Sequence, residues 1–165
     1  MNCITSFATR NKMFLVGFFL LTLFSSQLSC GFMMVMVSPL AIIYQFVKLA
    51  RCRRDPRLRK DRYLALAVVA FSLLLVISAH LHRHNDARRV ANKLVADILS
   101  FQKATGRYPS DGKELGLPEM ARLRPYRLTY YNVEGQPRLF YMATFGPFDK
   151  YQYDFTDKTW NYLAD

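Results

Sequence analysis

The fold is decided by residues 63–105, which read YLALAVVAFSLLLVISAHLHRHNDARRVANKLVADILSFQKAT. The first 17 of these residues, Tyr63–Ala79, contain no charged side chain and no histidine. A membrane-spanning helix needs about 20 apolar residues, with about 17 near the lower limit. A buried helix of a soluble protein would show a polar stripe, and this run has only Ser72 and Ser78. We therefore expect a transmembrane helix over residues 63–81.

The second part of this stretch predicts an amphipathic helix from Asn85 to Thr105. Apolar residues recur there at spacings of three and four, which is the period of one helix face. The members of this apolar stripe are Ala87, Val90, Ala91, Leu94, Ile98 and Phe101. Because no glycine or proline lies between Tyr63 and Thr105, a single helix is expected to continue from the membrane into a folded domain.

The residues after the long helix carry two further helix signals. Gly106 is suited to end a helix, because glycine adopts the left-handed conformation at little cost, and Pro109 prevents continuation. Asp111 and Glu114 have the spacing of a capping box, so a short second helix is expected to begin at Ser110 or Asp111.

From residue 126 onward the apolar period changes to two, which is typical of half-buried strands. The residues alternate in two sets, with Tyr126, Leu128, Tyr130, Leu139 and Tyr141 assigned to the inner face, and Arg127 and Tyr131 assigned to the outer face. Turns are expected at Glu134-Gly135, Gly146-Pro147 and Asp157-Lys158. The pattern predicts an antiparallel meander of three or four strands that covers the apolar stripe of the helix, with Trp160 in the core. The predicted class is α+β, and residues 82–165 form the folded domain.

Residues 13–50 form a second hydrophobic region, whose organisation the sequence leaves open. Its first 35 residues contain no charged side chain and no histidine. As one helix they would reach roughly 50 Å, which is too long for a single span. A polar cluster at residues 25–29 separates a short first segment from residues 31–47, which are long enough to span. Three interpretations remain: a hairpin of two spans, which we favour, a cleaved signal segment followed by one span, or a translation start at Met33, Met34 or Met36.

Positive charge is concentrated between the two hydrophobic regions. The chain has a formal charge of +11, and residues 51–62 contain seven basic and two acidic side chains. Short cytoplasmic loops are enriched in Lys and Arg. We therefore expect residues 51–62 to be a basic cytoplasmic loop, residues 1–12 a cytoplasmic segment, and residues 82–165 an extracytoplasmic domain. A nucleic-acid-binding surface would need basic residues spread over one folded face, so no nucleic-acid partner is expected.

Candidate catalytic groups are scarce in the C-terminal domain. It has no cysteine, and its only serines are Ser100 and Ser110. The sequence therefore offers neither a Ser/His/Asp nor a Cys/His arrangement, and it contains no glycine-rich phosphate-binding motif. We predict that the protein is not an enzyme and needs no cofactor.

Two sets of residues are candidates for binding. His80, His82 and His84 follow the transmembrane run, and His80 and His84 have the i, i+4 spacing with which a helix chelates a divalent transition metal. Arg127 and Tyr131 are assigned to the outward face of the first strand, and Tyr and Arg often dominate the binding energy of protein interfaces. The first set predicts a metal site, and the second predicts contact with a protein partner.

A resemblance to a known family rests on the same region. A membrane helix that continues into an amphipathic one, the segment FQKATGRYPSDGKELGL at residues 101–117, and the meander resemble type IV pilins. The similarity is greatest to the pseudopilins of type II secretion, in which a Gly-Arg-Tyr-Pro stretch often follows the helix, and it covers residues 63–165. Gly31-Phe32 matches the start of a prepilin processing site, but Met36 stands where pilins have glutamate. The resemblance implies a pilin-like domain shape without processing or polymerisation.

These observations predict a non-enzymatic, multi-pass protein of the bacterial inner membrane. Its C-terminal domain is expected to bind a protein partner in the periplasm, in an envelope or secretion accessory role. Two alternatives remain open. The first is a metal-responsive membrane protein that uses the three histidines, and the second is an immunity protein against a periplasmic toxin.

Overall fold

The computed structural model describes residues 7–9, 11–27, 30–51, 55–115, 127–146 and 148–164. Over these ranges the main elements are the helices α1 (Lys12–Ser25), α2 (Gly31–Arg51) and α3 (Pro56–Thr105), followed by the strands β1 (Thr129–Val133), β2 (Gln136–Met142), β3 (Lys150–Asp154) and β4 (Thr159–Leu163). The class is α+β, as the sequence predicts. The chain divides into two compact units, Met1–His80 and Leu81–Asp165.

In the first unit, the long hydrophobic region is divided into two helices. α1 ends at Ser25 and α2 begins at Gly31, so the polar cluster separates two apolar segments as the sequence predicts. The hydroxyl of Ser26 donates a hydrogen bond to the carbonyl oxygen of Thr22 (2.7 Å) at the end of α1. The apolar core of this unit consists of Phe18, Met34, Val69 and Val76.

The basic segment is largely helical, which corrects the prediction of a loop over residues 51–62. α2 continues to Arg51, and α3 already begins at Pro56. Oδ1 of Asp55 accepts hydrogen bonds from the backbone N–H groups of Arg57 (2.9 Å) and Leu58 (3.3 Å). An aspartate in the N-cap position and a proline in the first turn both favour a helix start. The helix therefore begins about two turns before the predicted span.

In the second unit, the last part of α3 packs on one face of a four-stranded antiparallel sheet. The strand order is β1-β2-β3-β4, so each strand pairs with its neighbour in sequence. The core combines one stripe of the helix with one face of the sheet, namely Ala87, Ala91, Leu94, Val95 and Ile98 with Leu128, Leu139, Tyr141 and Tyr153. This arrangement confirms the predicted amphipathic helix on an antiparallel meander.

A two-residue turn sets the register of β1 and β2. Glu134 and Gly135 have φ values of 53° and 82°, as a type I′ hairpin turn requires. Val133 consequently pairs with Gln136, and Tyr131 pairs with Arg138. Because side chains alternate along a strand, this register decides which residues share a face.

Residues 110–115 form turns, which corrects the prediction of a second helix beginning there. The Asp111 carboxylate accepts hydrogen bonds from backbone N–H groups, as in a capping box. The Glu114 carboxylate accepts hydrogen bonds from the backbone N–H of Ser110 (3.0 Å) and from the Arg107 guanidinium (2.9 and 3.2 Å). The capping interactions therefore close a turn, and the ion pair with Arg107 ties this turn to the end of α3.

Candidate binding face

The sheet face opposite α3 is an open surface in the part of the chain that the structure describes. We call it the outer face. Alternation along the strands and the observed register assign the following side chains to it: Thr129, Tyr131, Val133, Gln136, Arg138, Phe140, Met142, Lys150, Gln152, Asp154, Thr159, Asn161 and Leu163. Several of these side chains are apolar or aromatic, although the face is not covered by a described helix.

Tyr131 lies in the middle of β1 and points outward, as the sequence predicts. Its side chain is 38% exposed. The ring packs edge-on against Phe140 on β2, with 6.1 Å between ring centroids. Arg138 is its direct cross-strand neighbour and is also exposed. A tyrosine that is held by a neighbouring ring offers a large contact area with little rotamer entropy to lose.

Arg127 is exposed but does not share a strand position with Tyr131. It precedes β1 and has a φ of 48°, so the two-residue alternation begins only after it. Arg127 is four positions before Tyr131, which corresponds to roughly 13 Å of extended chain. The structure therefore places Arg138, rather than Arg127, beside Tyr131, while the binding roles of Arg127 and Tyr131 stay predictions. Sequence reasoning missed Arg138, although the two-residue turn at 134–135 already implies that residues 131 and 138 pair.

A concave surface lies where β2 separates from β3. The pairing of these strands stops at Leu139 and Tyr153, so residues 136–138 of β2 have no paired residue on β3 in that register. The concavity is lined by Tyr108, Gly135, Gln136, Pro137, Arg138, Gln152, Tyr153, Asp154, Phe155, Thr156, Asn161 and Leu163. Side-chain amides, one guanidinium and aromatic rings thus surround a strand edge that β3 leaves unpaired. Such an edge with flanking pockets is suited to an extended peptide segment.

The inner face carries a connected network of aromatic rings. Neighbouring centroids in the described part of this network are 4.9–6.0 Å apart. Its members are His84, Tyr108, Tyr141, Tyr151, Tyr153, Phe155, Trp160 and Tyr162. Tyr141 is fully buried and stacks on Tyr151 at 5.2 Å. Burial raises the pKa of Tyr141 to about 12, so its hydroxyl stays protonated at neutral pH.

Trp160 is only partly buried, which corrects the prediction that it lies in the core. It packs edge-on against Tyr141 and Tyr153, with 5.2 Å between centroids in each pair. Its indole N–H donates a hydrogen bond to Oδ1 of Asn92 on α3 (2.8 Å). β4 lies at the edge of the sheet, so Trp160 has a strand neighbour on one side only.

The three histidines of α3 have different surroundings. His80 is buried, and its Nε2 lies 2.8 Å from the carbonyl oxygen of Ser25. His82 is exposed, with Nε2 at 3.4 Å from Asp86. His84 packs against the ring of Tyr151, with 4.9 Å between centroids. Within the described ranges, no group of three His, Cys, Asp or Glu side chains is placed to hold a metal ion. Chelation by His80 and His84 alone stays a prediction.

The pKa of His84 is lowered, first because the ring is partly buried and second because Arg88 lies nearby. His84 is therefore held in its neutral form more strongly than a histidine in water. A neutral ring fits the aromatic network, since protonation would bring a second positive charge close to Arg88.

The first unit buries several polar side chains beside its apolar core and exposes many large apolar side chains. Its buried polar residues are Ser25, Ser38, Gln45, Asp61, Ser72 and His80. Its most exposed apolar residues include Met13, Phe19, Met36, Leu40, Phe71 and Leu74. α2 and α3 are long and apolar enough to cross a membrane by length and composition, and α1 is a shorter apolar helix.

Comparisons with known proteins give no relative from which a function could be transferred. No protein-family model, curated protein or solved structure matches the chain. The resemblance to type IV pilins therefore rests on the sequence features alone.

Proposed function

We propose that the chain is a multi-pass protein of the bacterial inner membrane that presents residues 82–165 in the periplasm as a non-enzymatic protein-binding domain. The proposed protein binding is supported by the outer face, on which exposed aromatic, apolar and guanidinium groups are held by the strands. The role in an envelope or secretion system, and the pilin-like character of the domain, belong to the same proposal. The metal-responsive and immunity alternatives stay predictions.

The burial pattern of the first unit supports a membrane location. Exposed apolar surface is unfavourable in water by about 25 cal/mol per Å², and soluble monomers rarely expose apolar patches larger than a few hundred Å². In lipid the same surface is solvated, and polar side chains favour the helix interfaces. α2 has 21 residues, which corresponds to about 31 Å and to the thickness of a bilayer core.

The distribution of basic residues supports the orientation. Seven arginines and lysines lie in residues 51–62, which comprise the last residue of α2, the segment that follows it and the first two turns of α3. Only Arg83, Arg88 and Arg89 follow closely after the span of α3. Basic residues near membrane helices favour the cytoplasmic side, so the segment between α2 and α3 is assigned to the cytoplasm and the sheet domain to the periplasm.

The composition of the outer face supports a macromolecular partner. An antiparallel sheet that faces water on one side usually alternates apolar and polar residues. Here the water-facing side carries Tyr131, Val133 and Leu163, each more than a third exposed, together with Arg138. Exposed aromatic rings and arginines are enriched in protein interfaces, where they often dominate the binding energy.

Site-specific photocrosslinking in cells tests this proposal. A photoreactive residue at Asn161, on the outer face, should give a defined protein adduct, and one at Lys103, exposed on α3, should not. Adding Tyr131→Ala and Arg138→Ala to the Asn161 probe should remove the adduct, because both contacts would be lost. Adding Lys103→Ala instead, an exposed basic residue on α3, serves as the control and should leave most of it. Equal adducts from both probe positions, or none from the outer face, would reject the binding face.

A further inference from the structure

A groove lies between α2 and α3 at the end of the first unit where the basic residues concentrate. It is lined by Phe46, Leu49 and Ala50 of α2, and by Arg59 and Tyr63 of α3. Residues 46, 49 and 50 share one face of α2, and residues 59 and 63 share one face of α3, because they are spaced by three or four positions. The groove therefore has an apolar wall on α2 and a wall on α3 that carries both a charge and a ring.

On α3, the charged side chain of the groove is displaced along the helix axis from the aromatic one. Arg59 lies one helical turn, about 6 Å, before Tyr63. Phe46 and Tyr63 are each more than half exposed, so both rings are open to the surroundings of the protein. A phenol ring close to a basic side chain is the arrangement found at the level of lipid headgroups.

The basic side chains at the start of α3 outnumber the carboxylates, since residues 55–63 contain four arginines and lysines and two aspartates. Asp55 uses its Oδ1 to cap the helix, and Asp61 is buried with 4% of its surface accessible. Arg57, Arg59 and Lys60 are all exposed. Arg62 lies beneath this surface and donates a hydrogen bond through Nη1 to Oε1 of the buried Gln45 (3.3 Å). The surface therefore attracts an anion that approaches along an apolar wall.

We propose that this groove binds one anionic phospholipid, with the phosphate at Arg59 and an acyl chain along Phe46 and Leu49. The inference rests on the proposed membrane location of the first unit. The occupant follows from charge complementarity, because the cations stand at one end of an apolar groove on helices long enough to span. A zwitterionic lipid fits less well, since its choline group would meet the same cations. Tyr63 occupies the level between headgroup and chain.

Native mass spectrometry of the full-length protein in a non-ionic detergent tests the site. Phosphatidylglycerol should form a one-to-one adduct in preference to phosphatidylcholine with the same acyl chains. Arg59→Gln should weaken this adduct about fivefold, as expected for one basic contact at an anionic surface. Arg57→Gln removes the same charge two residues away, outside the groove lining, and should change binding less than twofold. Arg59→Lys should retain most of the binding, which separates loss of charge from loss of folding.

Three results would overturn the inference. The first is equal binding of the two lipids, and the second is an equal effect of Arg59→Gln and Arg57→Gln. The third is displacement of the lipid by millimolar glycerophosphoglycerol, because a headgroup alone would then suffice without the apolar wall. Extraction of cell membranes at alkaline pH separates this failure from that of the membrane proposal. A protein that stays in the membrane without lipid preference rejects only the groove, and a protein that is released rejects both.

Discussion

The two units differ in the polar side chains that they bury and the apolar side chains that they expose, although one helix contributes to both. In the first unit α3 buries Asp61, Ser72 and His80 along with apolar residues, and Phe71 and Leu74 are exposed. In the second unit the same helix buries Ala87, Ala91, Leu94 and Ile98, and its charged residues are outside. A water-solvated unit gains free energy by burying apolar surface, whereas a lipid-solvated unit gains little from it. This is the difference expected from the two solvents that we propose along one chain, lipid for the first unit and water for the second.

The largest effect is expected in the second unit, at the buried Tyr141. Tyr141→Ala should lower the free energy of unfolding by about 3–5 kcal/mol, because it removes the ring at the centre of the aromatic network. Tyr141→Phe is the matched control. The hydroxyl is buried without a hydrogen-bond partner in the described part of the chain, so its removal should be neutral or stabilising. Denaturation followed by tryptophan fluorescence measures both, and a large loss for Tyr141→Phe would indicate a hidden polar partner.

A charged side chain introduced on the exposed surface of the first unit should make insertion of the helix into the membrane less favourable. Phe71 is 62% exposed, and Phe71→Asp would place a carboxylate near the middle of the proposed span. The apparent insertion free energy should rise by about 3 kcal/mol, which glycosylation mapping of the inserted fraction reports. Phe148 is as exposed in the second unit, and Phe148→Asp should change stability by less than about 0.5 kcal/mol. Similar small effects at both positions would contradict the proposed difference in solvent between the two units.

An intermediate effect is expected at the edge of the sheet. Trp160→Ala should cost about 2 kcal/mol, less than a fully buried tryptophan, because the side chain is only partly covered. Asn92→Ala removes only the acceptor of the indole N–H and should cost about 1 kcal/mol. Thermal unfolding by near-ultraviolet circular dichroism ranks the variants, and a loss at Trp160 that equals the loss at Tyr141 would show that the edge strand is covered.

The smallest effect is a pH dependence of the second unit. The pKa of His84 lies below its usual 6.5 in the folded state, so protons bind more readily to the unfolded chain. Stability should therefore be full above about pH 6.5 and should decrease as the pH falls below it. His84→Phe should remove this dependence, and His82→Ala should leave it unchanged. Midpoints of urea unfolding between pH 7.5 and 5.5 measure the change, and a rise in stability over that range would contradict the assigned environment.

A second pH dependence should follow at lower pH. The Arg107 guanidinium and the backbone N–H of Ser110 lower the pKa of Glu114 from 4.5 to about 2. The folded state thus holds the carboxylate ionised, and this contribution is present above about pH 4.5 and lost as the pH falls toward 2. Glu114→Gln should flatten the stability profile in that window and leave the His84 window intact, so the two groups are separable by pH.

Much of the fold follows from the sequence, because its patterns are local. The apolar period of α3 and the Glu134-Gly135 turn determine the helix stripe and the first hairpin. The prediction of a loop over residues 51–62 was wrong because Asp55 and Pro56 together start a helix. The prediction considered the density of basic residues there and not the N-cap residue. Arg127 is exposed, as expected for an outward side chain, but its positive φ places it before β1 and outside the strand alternation. The position of Arg138 beside Tyr131 follows from pairing the strand residues outward from the turn at 134–135, a step beyond the local pattern. The groove at Arg59 depends on the packing of two helices, so no local sequence pattern predicts it.

The most direct test of the two-solvent account is the location of the second unit relative to the membrane. Alkaline phosphatase, which is active only outside the cytoplasm, can be fused after Asp165 or within the segment that begins at Pro56. High activity is expected for the fusion after Asp165 and negligible activity for the fusion near Pro56, at equal protein levels. The reverse pattern, or equal activity at both positions, would contradict the orientation and with it the periplasmic binding domain.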